Sequence, residues 1–378
     1  MTILLLGEYS NFHNSLKSGL ELLGHKVVLA GRRDGFKDLP VDISFEPIFF
    51  KRYIPNFFRQ VIYRFTNFDV ACFEVAILFL RSKDQLKGFD FVQLINEYPI
   101  KSSPYLDKFL LKFIFKHNKN VFVSACGNDV VYINYILNTN LKHHTLTPYL
   151  IDPSLKKNFQ YSLAYLTKPY QNLSKFVLKN IKAYIPADMD YYMAYKKHTK
   201  AKHLIPFPVN IDKLEYIPLK TEEKIKIFHG INQENYLKKG NDYFQKALKV
   251  IKEKYGDRVI ISEVENVPYK EYISLYNDSH ILLDQVYAYD QGYNALEAMA
   301  KGKVVFSGFS DEFIKHYDID KTIGIHTIPD MNTIVDNLSN LIENPKTIIE
   351  IGKNARAFII EYHDYKKVAE QYIDCWKN

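Results

Sequence analysis

The segment Asp284–Val305, DQVYAYDQGYNALEAMAKGKVV, decides how the rest of the chain is interpreted. It follows an apolar run at 281–283, which predicts a buried strand. A polar loop comes next, and then Leu296–Ala300, a run of strong helix formers that Gly302 stops. The apolar run from Val304 predicts another strand. The segment is therefore expected to form a strand, a loop, a helix and a second strand.

The loop before this helix is a candidate phosphate site. Backbone N–H groups at a helix amino end lack partners within the helix and carry partial positive charge, so they attract anions. Gly292 lets the backbone approach a ligand closely, and Glu297 is near enough to the helix start to accept hydrogen bonds from a ribose. The same residues also fit a capped helix in an ordinary α/β domain, in which Glu297 only favours the helix dipole.

The composition indicates a soluble globular protein with a basic charge balance. The chain has 378 residues, enough for two cores, with 47% hydrophobic and 25% charged residues. Its formal net charge of +7 favours anionic partners such as nucleotide diphosphates, lipid phosphates or an acidic membrane surface. The positive charge is too weak and too scattered for a nucleic-acid-binding protein, so no nucleic acid is expected as a partner.

Cysteine usage and the amino terminus favour a cytoplasmic protein. Cys72, Cys126 and Cys375 have no metal-ligand spacing, and any disulfide would leave one of them unpaired. The chain starts directly with a predicted strand, so no signal peptide is expected. It has no apolar run near 20 residues, so no transmembrane helix is expected either.

The amino-terminal region predicts the start of a doubly wound parallel sheet. A strand at Thr2–Leu6 leads through a turn at Gly7 into a helix over Ser15–Leu23, and Val27–Leu29 is the next strand. His13 lies in the loop that leaves the first strand, where open α/β sheets bind ligands. It is a candidate contact for the acceptor or the sugar, or else a helix-entry residue in water.

Segment 48–80 mixes aromatic and basic side chains at helical spacing. Phe57 and Phe65, for example, alternate with Arg59 and Arg64. A helix lying on a membrane surface has this pattern, and so does an ordinary helix whose long basic side chains reach past apolar neighbours to water. We favour docking on the inner face of the cell membrane, where a lipid-linked acceptor would lie.

The sequence Gly292–Gly302, GYNALEAMAKG, resembles the donor-binding segment of retaining glycosyltransferases with the GT-B fold, glycosyltransferase family 4 in particular. In that family a glycine loop leads into a helix with the pattern Leu-Glu-Ala-Met-Ala-x-Gly. The resemblance implies that Glu297 binds the ribose of a nucleotide sugar. It also implies that the backbone at Gly292, Tyr293 and Asn294 holds the diphosphate.

The chain departs from the family eight residues before that glutamate. The family usually has a second acid there, which contacts the sugar, and this chain has Tyr289. The adjacent Asp290 is the candidate replacement. In the family a further loop holds the base through backbone groups, and its position here implies a contact from Val267.

A second match lies at Lys239-Gly240, which resembles the family's glycine-arginine…lysine-glycine loop. The two cations of that loop neutralise the donor diphosphate. Lys239 matches the lysine, while Asn232 and Gln233 occupy the neighbourhood of the arginine. The resemblance therefore implies that Lys239 is catalytic and that Lys238 supplies the second charge. The other interpretation is that both lysines are the solvated start of a helix.

Two matches lie in the amino-terminal half. The loop GEYSNFH from Gly7 to His13 is similar to the start of bacterial capsule and lipopolysaccharide glycosyltransferases, where it faces the interdomain cleft. The sequence Gly-Asn-Asp at 127–129 resembles a Gly-Ser-Asp of the family, which implies that Asp129 contacts a hydroxyl of donor or acceptor. Asp129 is equally a helix N-cap candidate.

The domain limits follow from a proline-containing segment. HLIPFPVNID at 203–212 resembles the end of the amino-terminal domain in family 4 enzymes, and 220–224 predicts a solvated linker. We expect an acceptor-side domain at 1–208, onto which a terminal helix at 364–378 packs back, and a nucleotide-sugar-binding domain at 209–363.

The resemblance implies a retaining glycosyltransferase of the hexosyltransferase type. It would transfer a sugar from a UDP- or GDP-sugar to a hydroxyl of a glycan, which is expected to be lipid-linked, in surface polysaccharide synthesis, without a tightly bound cofactor or an essential metal. One alternative is another GT-B enzyme, either an epimerase or an inverting transferase whose base would be His13 or Asp129. The other alternative is a non-catalytic subunit that binds a sugar nucleotide.

Overall fold

The structure is a computed structural model that describes residues 1–33, 38–220, 224–265, 267 and 269–378. Within this part of the chain the strands form two parallel sheets, each flanked by helices. Three residues of the predicted linker, 221–223, lie outside the described ranges.

The first sheet uses strands from the amino-terminal half. They are β1 (Thr2–Leu6), β2 (Lys26–Gly31), β3 (Ile43–Ser44), β4 (Phe91–Leu94), β5 (Val121–Ala125) and β6 (Tyr184–Pro186). Their order is β3-β2-β1-β4-β5-β6, and neighbouring strands are parallel. β1 and β5 are almost continuous apolar runs because helices cover both faces of the sheet. The strand order reverses between β1 and β4, and open α/β sheets bind ligands at such a point.

The helices of this half pack around the first sheet. They are α1 (Phe12–Leu22), α2 (Tyr53–Thr66), α3 (Ala71–Arg81), α4 (Pro104–His117), α5 (Val130–Leu137), α6 (Thr147–Ile151), α7 (Gln160–Leu163), α8 (Lys168–Asn180) and α9 (Met189–Tyr195). We call the elements from β1 to α9 the N lobe. α2 differs from the other long helices of the lobe because none of its residues is buried.

The second sheet lies in the carboxyl-terminal half. Its strands are β7 (Ile225–Ile231), β8 (Val259–Glu265), β9 (Ile281–Leu283), β10 (Val304–Ser307) and β11 (Ile325–His326), in the order β11-β10-β9-β7-β8 and all parallel. The helices are α10 (Tyr236–Lys239), α11 (Asn241–Tyr255), α12 (Tyr269–Asp278), α13 (Tyr293–Ala300), α14 (Asp311–Tyr317), α15 (Met331–Glu343), α16 (Pro345–Phe358) and α17 (Tyr365–Lys377). We call the elements from β7 to α16 the C lobe.

The last helix, α17, packs on the N lobe. A methyl group on Gly19 of α1 would collide with the Tyr365 carbonyl, so the two helices meet at backbone contact. Further along α17, Trp376 Nε1 donates to Gln93 Oε1 at 2.9 Å, and the Trp376 ring stacks on Phe91 of β4. The exact domain limits at 208 and 363 stay predictions.

Two local predictions differ from the structure. α13 begins at Tyr293, three residues before the predicted helical run, because its first turn is fixed by contacts to the N lobe. α1 begins at Phe12, three residues before the predicted Ser15, so His13 lies in the first turn of this helix and not in the loop before it.

Candidate active site

A cleft between the two lobes is lined by several of the predicted site residues. It measures about 400 Å³, within the range of small-ligand pockets. Its N-lobe wall includes Tyr9, Gly127, Asn128, Tyr161, Asp188 and Asp190, and its C-lobe wall includes Lys238, Lys239, Asp290, Gln291, Gly292 and Tyr293. Five predicted site residues therefore meet here: Lys238, Lys239, Asp290, Gly292 and Tyr293.

A second depression of about 550 Å³ lies elsewhere on the N lobe, beside Met1, Phe91 and His117. It borders residues just before β4 and β5, at the amino ends of these strands. Parallel α/β sheets bind ligands at the opposite, carboxyl ends of their strands. The cleft between the lobes is therefore the better candidate site.

The amino end of α13 faces the cleft and has no side-chain cap among the described residues. Gly292 is the N-cap residue, with an extended backbone (φ −75°, ψ 163°). The N–H groups of the first turn are the kind of donors that bind phosphate oxygens. This end of the helix is therefore suited to an anion.

Lys239 brings a positive charge to the same place. Its Nζ lies 2.7 Å from Asp284 Oδ1, and the Oδ2 of that carboxylate lies 3.7 Å from the position of a Cβ on Gly292. One carboxylate thus separates the ammonium from the amino end of α13. The Lys239 carbonyl also accepts from the Val286 N–H at 3.0 Å, which fixes the loop. A diphosphate held by both Lys239 and the amino end of α13 requires the two to lie close together.

Lys238 contacts the opposite wall. Its Nζ lies 5.8 Å from the ring centroid of Tyr161, a cation–π distance. Burial lowers the pKa of Lys238, partly opposed by Glu234. The next residues turn sharply at Gly240, which has φ +68° and where a Cβ would collide with Val286. Gly240 therefore shapes the lysine loop and is not among the residues that line the cleft.

Two aspartates join the lobes at the cleft. Asp190 Oδ2 accepts from the N–H groups of Tyr289 at 3.0 Å and Asp290 at 3.1 Å. Asp290 Oδ2 in return accepts from the Met189 N–H at 2.7 Å, and its Oδ1 accepts from the Gln291 N–H at 2.6 Å. We call the bonds that Asp190 and Asp290 make across the lobes the interlobe clasp. Both oxygens of Asp290 are engaged, so contact with a sugar would require the clasp to rearrange.

The clasp carboxyls are buried acids. Burial raises the pKa of Asp190 to about 7, although the amides of Tyr289 and Asp290 oppose the shift. Burial likewise raises the pKa of Asp290 to about 7. Nearby Asp188 has its pKa raised well above its usual range by burial and by the charges of the two clasp residues. The cluster therefore binds protons near neutral pH.

Tyr289 stands where the family pattern has an acid, and it is a packing residue. It is buried in the C-lobe core, and its ring stacks on His143 with centroids 5.2 Å apart and an angle of 12°. Burial lowers the pKa of His143 to about 4, so this pair is uncharged at neutral pH.

Asp129 caps α5. One oxygen accepts from the Tyr132 N–H at 2.7 Å, and the other accepts from the Tyr195 hydroxyl at 2.8 Å. Burial and the charge of Glu97 raise the pKa of Asp129 to about 8. Asp129 is not among the residues that line the cleft, so the geometry favours the capping alternative over a substrate contact.

His13 is fully buried beside the first turn of the chain. Its Nδ1 donates to the Gly7 carbonyl at 2.6 Å, and burial lowers its pKa to about 3. A base of such low pKa is poorly matched to proton removal near neutral pH. Gly7 itself has φ +90°, and a Cβ there would collide with Ile95. Both residues therefore shape the loop behind the cleft wall.

Tyr293 connects α13 to the N lobe. Its hydroxyl donates to the Pro208 carbonyl at 2.6 Å and lies 2.7 Å from the Ser15 hydroxyl. The Asn294 side chain faces α12, where its Oδ1 accepts from the Tyr272 hydroxyl at 3.5 Å, and its backbone carbonyl accepts from the Tyr276 hydroxyl at 2.9 Å. The first turn of α13 is thus anchored to both lobes.

Glu297 and Val267 lie away from the cleft lining. Glu297 is half-buried one turn into α13, and Lys301 lies one turn further along the same helix. Val267 packs against the C-lobe core, while its neighbours 266 and 268 lie outside the described residues. Their predicted contacts with the ribose and the base stay predictions.

Sequence reasoning missed Asp284, Asp188 and Asp190. Asp284 directly follows β9, and the other two follow β6 closely. Ligand-binding residues in parallel sheets lie at the carboxyl ends of strands, and this rule was applied to His13 but not here. Applied to every strand, it would have found all three.

Two further structural facts hold for the described residues. No helix in that part of the chain is long and apolar enough to cross a membrane. No group of three or more His, Cys, Asp or Glu side chains there is placed to hold a metal ion.

Part of the chain matches a known protein family. Residues 235–374 match a family described as glycosyl transferase-like, which covers most of the C lobe and α17. A search of the curated proteins found no match to the chain.

Several solved structures have the same architecture over the whole chain. Sucrose-phosphate synthase from Thermosynechococcus elongatus has a TM-score of 0.61 at 14% identity, covering 100% of this chain and 98% of that one. Anabaena Alr3699/HepE, solved with UDP and glucose, has a TM-score of 0.59 at 12% identity, covering 100% and 99%. A Listeria monocytogenes protein assigned as a UDP-N-acetylglucosamine 2-epimerase has a TM-score of 0.51 at 10% identity, covering 98% and 94%.

At these identities the likenesses show the fold alone, and they confirm the predicted GT-B fold. The match of residues 235–374 to a glycosyl transferase-like family is evidence about activity, which a shared fold alone does not provide. The family match and the fold together support a glycosyltransferase.

Proposed function

We propose that the chain is a retaining glycosyltransferase of the family 4 type that uses a UDP- or GDP-sugar in the synthesis of a surface glycan. The observation that carries the proposal is the position of the Lys239 ammonium beside the amino end of α13, inside the cleft. Such a pair of positive groups suits a diphosphate and stabilises it as it leaves the sugar. HepE, one of the similar structures, was solved with UDP-glucose.

In this proposal the protein acts through positioning and electrostatics. Lys239, Lys238 and the amides at Gly292–Asn294 hold the diphosphate, and Glu297 holds the ribose. The departing diphosphate takes the proton of the acceptor hydroxyl on the same face of the sugar, which retains the anomeric configuration. The lysines and α13 supply the positive charge, so the reaction needs no metal.

The burial of His13 and Asp129 argues against these two residues as the base of an inverting enzyme. An inverting enzyme needs a side-chain base in contact with the acceptor hydroxyl. Both carboxylate oxygens of Asp129 are engaged, and His13 is fully buried with its pKa lowered to about 3. Neither residue is among those that line the cleft.

A thermal-shift screen tests donor binding. A ligand that binds only the folded protein raises the melting temperature by mass action. We expect at least one UDP- or GDP-sugar to stabilise the wild type, ADP- and CMP-sugars to do less, and Lys239→Ala and Glu297→Ala to weaken the effect. A protein that responds to no nucleotide sugar would contradict the proposal.

A second assay separates the possible reactions. Incubation with the bound donor and a glycan-containing membrane extract should release nucleoside diphosphate, and NMR of the product should show the donor's anomeric configuration. The opposite anomer would indicate an inverting enzyme, and a changed donor sugar without transfer would indicate an epimerase. Binding without any reaction would indicate a non-catalytic subunit.

We propose further that the acceptor is lipid-linked and that α2 docks on the inner face of the cell membrane. Large apolar side chains on and beside α2 are exposed, Tyr53 at 92% and Phe65 at 82%. Arg52, the N-cap residue of α2, and Arg64 in its last turn are exposed, which suits an anionic lipid surface. Large exposed apolar patches commonly mark such contacts.

The local structure holds this helix in place without burying it. Glu74 of α3 accepts from the N–H groups of Ile48, Phe49 and Phe50 at 2.7–3.0 Å. Arg59 forms two bonds of 2.7 Å to Asp69. Arg59 is therefore a structural residue, and a test of membrane charge contacts should leave it intact.

Vesicle co-sedimentation tests the membrane proposal. The wild type should bind vesicles that contain phosphatidylglycerol and bind pure phosphatidylcholine much less. Arg52→Glu with Arg64→Glu should reduce binding, and so should Phe57→Ser with Phe65→Ser. Tyr105→Ser, an equally exposed aromatic residue on α4, is the control. Equal binding by all variants would contradict the role of α2.

A further inference from the structure

A buried carboxylate lies beneath the cationic end of the cleft. Asp284 follows β9, and its side chain is only 1% exposed, whereas the Lys239 side chain is 29% exposed. Asp284 Oδ1 pairs with Lys239 Nζ at 2.7 Å, and Oδ2 accepts from the Ser307 hydroxyl at 3.1 Å. The pair therefore has one partner in the protein interior and one at the cleft.

The buried partner is held rigidly. The Asp284 N–H donates to the Phe306 carbonyl at 3.0 Å, and Ser307 ends the neighbouring strand β10. Two parallel strands thus fix the backbone and the carboxylate together. Lysine, in contrast, has a flexible four-carbon stem and a strongly hydrated ammonium, so its ammonium has no fixed position without a partner.

We infer that Asp284 is a positioning residue, which holds the Lys239 ammonium in the one direction that serves the diphosphate at the amino end of α13. The inference rests on the proposed function of this cleft. Burying an unneeded carboxylate is costly, and a neutral side chain of the same shape would pack at least as well. A role in orienting Lys239 would explain why a carboxylate is buried at position 284.

Loss of the Asp284 carboxylate should affect turnover more than donor binding. Asp284 accepts one N–H of the ammonium, so the other two stay available to phosphate oxygens. In Asp284→Asn the lysine keeps its charge and can still bind a diphosphate, but it is no longer oriented before the bond to the sugar breaks. Preorganised donors act mainly on the transition state. The loss should therefore fall on kcat.

The test compares Asp284→Asn and Ser307→Ala with the wild type. For Asp284→Asn we expect kcat to fall about tenfold or more, while the donor KM and the Kd of UDP or GDP change by less than about threefold. Ser307→Ala should shift kcat in the same direction by a smaller factor. Asp242→Asn, which breaks an exposed pair with Lys246 on the same lobe, is the matched control. Unchanged kcat in Asp284→Asn, or a parallel loss of nucleotide affinity, would overturn the inference.

A chemical readout keeps the inference separate from the proposed function. Mass spectrometry after brief acetylation with acetic anhydride measures the relative reactivity of each lysine without any substrate. Lys239 should react several-fold faster in Asp284→Asn than in the wild type, while Lys246 should not change. Faster labelling in a protein without transferase activity would uphold the positioning role and remove the proposed function. Unchanged labelling would overturn the positioning role, whatever the activity.

Discussion

Replacing Lys239 by methionine should affect stability and ligand binding separately. Methionine keeps the length of the side chain and removes its charge. The Asp284 carboxylate, 1% exposed, would then keep only the Ser307 hydroxyl as its partner. Breaking a buried ion pair from one side costs about 3–5 kcal/mol. Because 29% of the lysine side chain reaches water, we expect the lower end, about 3 kcal/mol.

The double variant Lys239→Met with Asp284→Asn separates the two effects. It removes the uncompensated charge, so most of the stability should return. Binding should not return, because the diphosphate loses a charge-assisted contact worth about 1.5–3 kcal/mol, or roughly 10- to 100-fold in affinity. Both variants should therefore bind UDP or GDP weakly, and only the single variant should unfold early.

Urea unfolding followed by circular dichroism measures the first effect, and isothermal titration calorimetry with the nucleoside diphosphate measures the second. The Asp242→Asn variant is the control for loss of an exposed charge pair on the same lobe. A single variant as stable as the wild type would refute the account of the buried pair. A double variant that binds the nucleotide like the wild type would refute the diphosphate site.

Three further predictions concern other residues of the two lobes. The raised pKa values of Asp190 and Asp290 mean that the folded state binds more protons than the unfolded state between about pH 4 and 7. The free energy of unfolding should therefore fall as pH rises through this range. Urea titrations at pH 5 and 7.5 should show this fall reduced by at least about 1 kcal/mol in the double variant Asp190→Asn with Asp290→Asn. An unchanged fall would contradict the raised pKa values of these two residues. Asp129→Asn keeps a good cap, so kcat measured between pH 5 and 9 should stay within about threefold of the wild type, whereas loss of a base would cost about 100-fold or more. Gly240→Ala should lower the free energy of unfolding by about 1–2 kcal/mol more than Gly24→Ala. Both glycines have positive φ, but only at Gly240 would the added methyl group collide with a neighbouring side chain. Equal losses in the two variants would show that the lysine loop shifts to accommodate the methyl group.

The fold was predictable because its signals are local. β1, β5 and β9 are apolar runs of strand length, and each is followed by residues that favour a turn or a helix start. A parallel sheet buried on both faces requires such runs, so pattern and architecture agree. The two-residue strands β3 and β11 were not predicted, because so short a segment has no period to read.

The candidate site was predictable only where one segment contains it. The loop at Gly292 was proposed because a glycine precedes a helix-forming run, and Lys239 was proposed because Lys239-Gly240 resembles a loop of the family. The bond from Asp190 to the Asp290 N–H joins residues 100 positions apart, and no local pattern announces such a partner. The same limit explains Asp129, whose capping and substrate roles have the same sequence signature and differ only in which side chains surround it.

The interlobe clasp lies beside the proposed diphosphate site. Tyr289 and Asp290 give their N–H groups to the N lobe, and Gly292, two residues later, opens α13 toward the cleft. The Tyr293 hydroxyl, at the first position of the helix, is also bonded to Pro208. The lobes cannot separate without breaking these bonds, and each of them ends within four residues of Gly292, in the proposed diphosphate site. We therefore expect an opening of the cleft to release the first turn of α13 from its N-lobe contacts, whereas both partners of the Asp284–Lys239 pair belong to the C lobe.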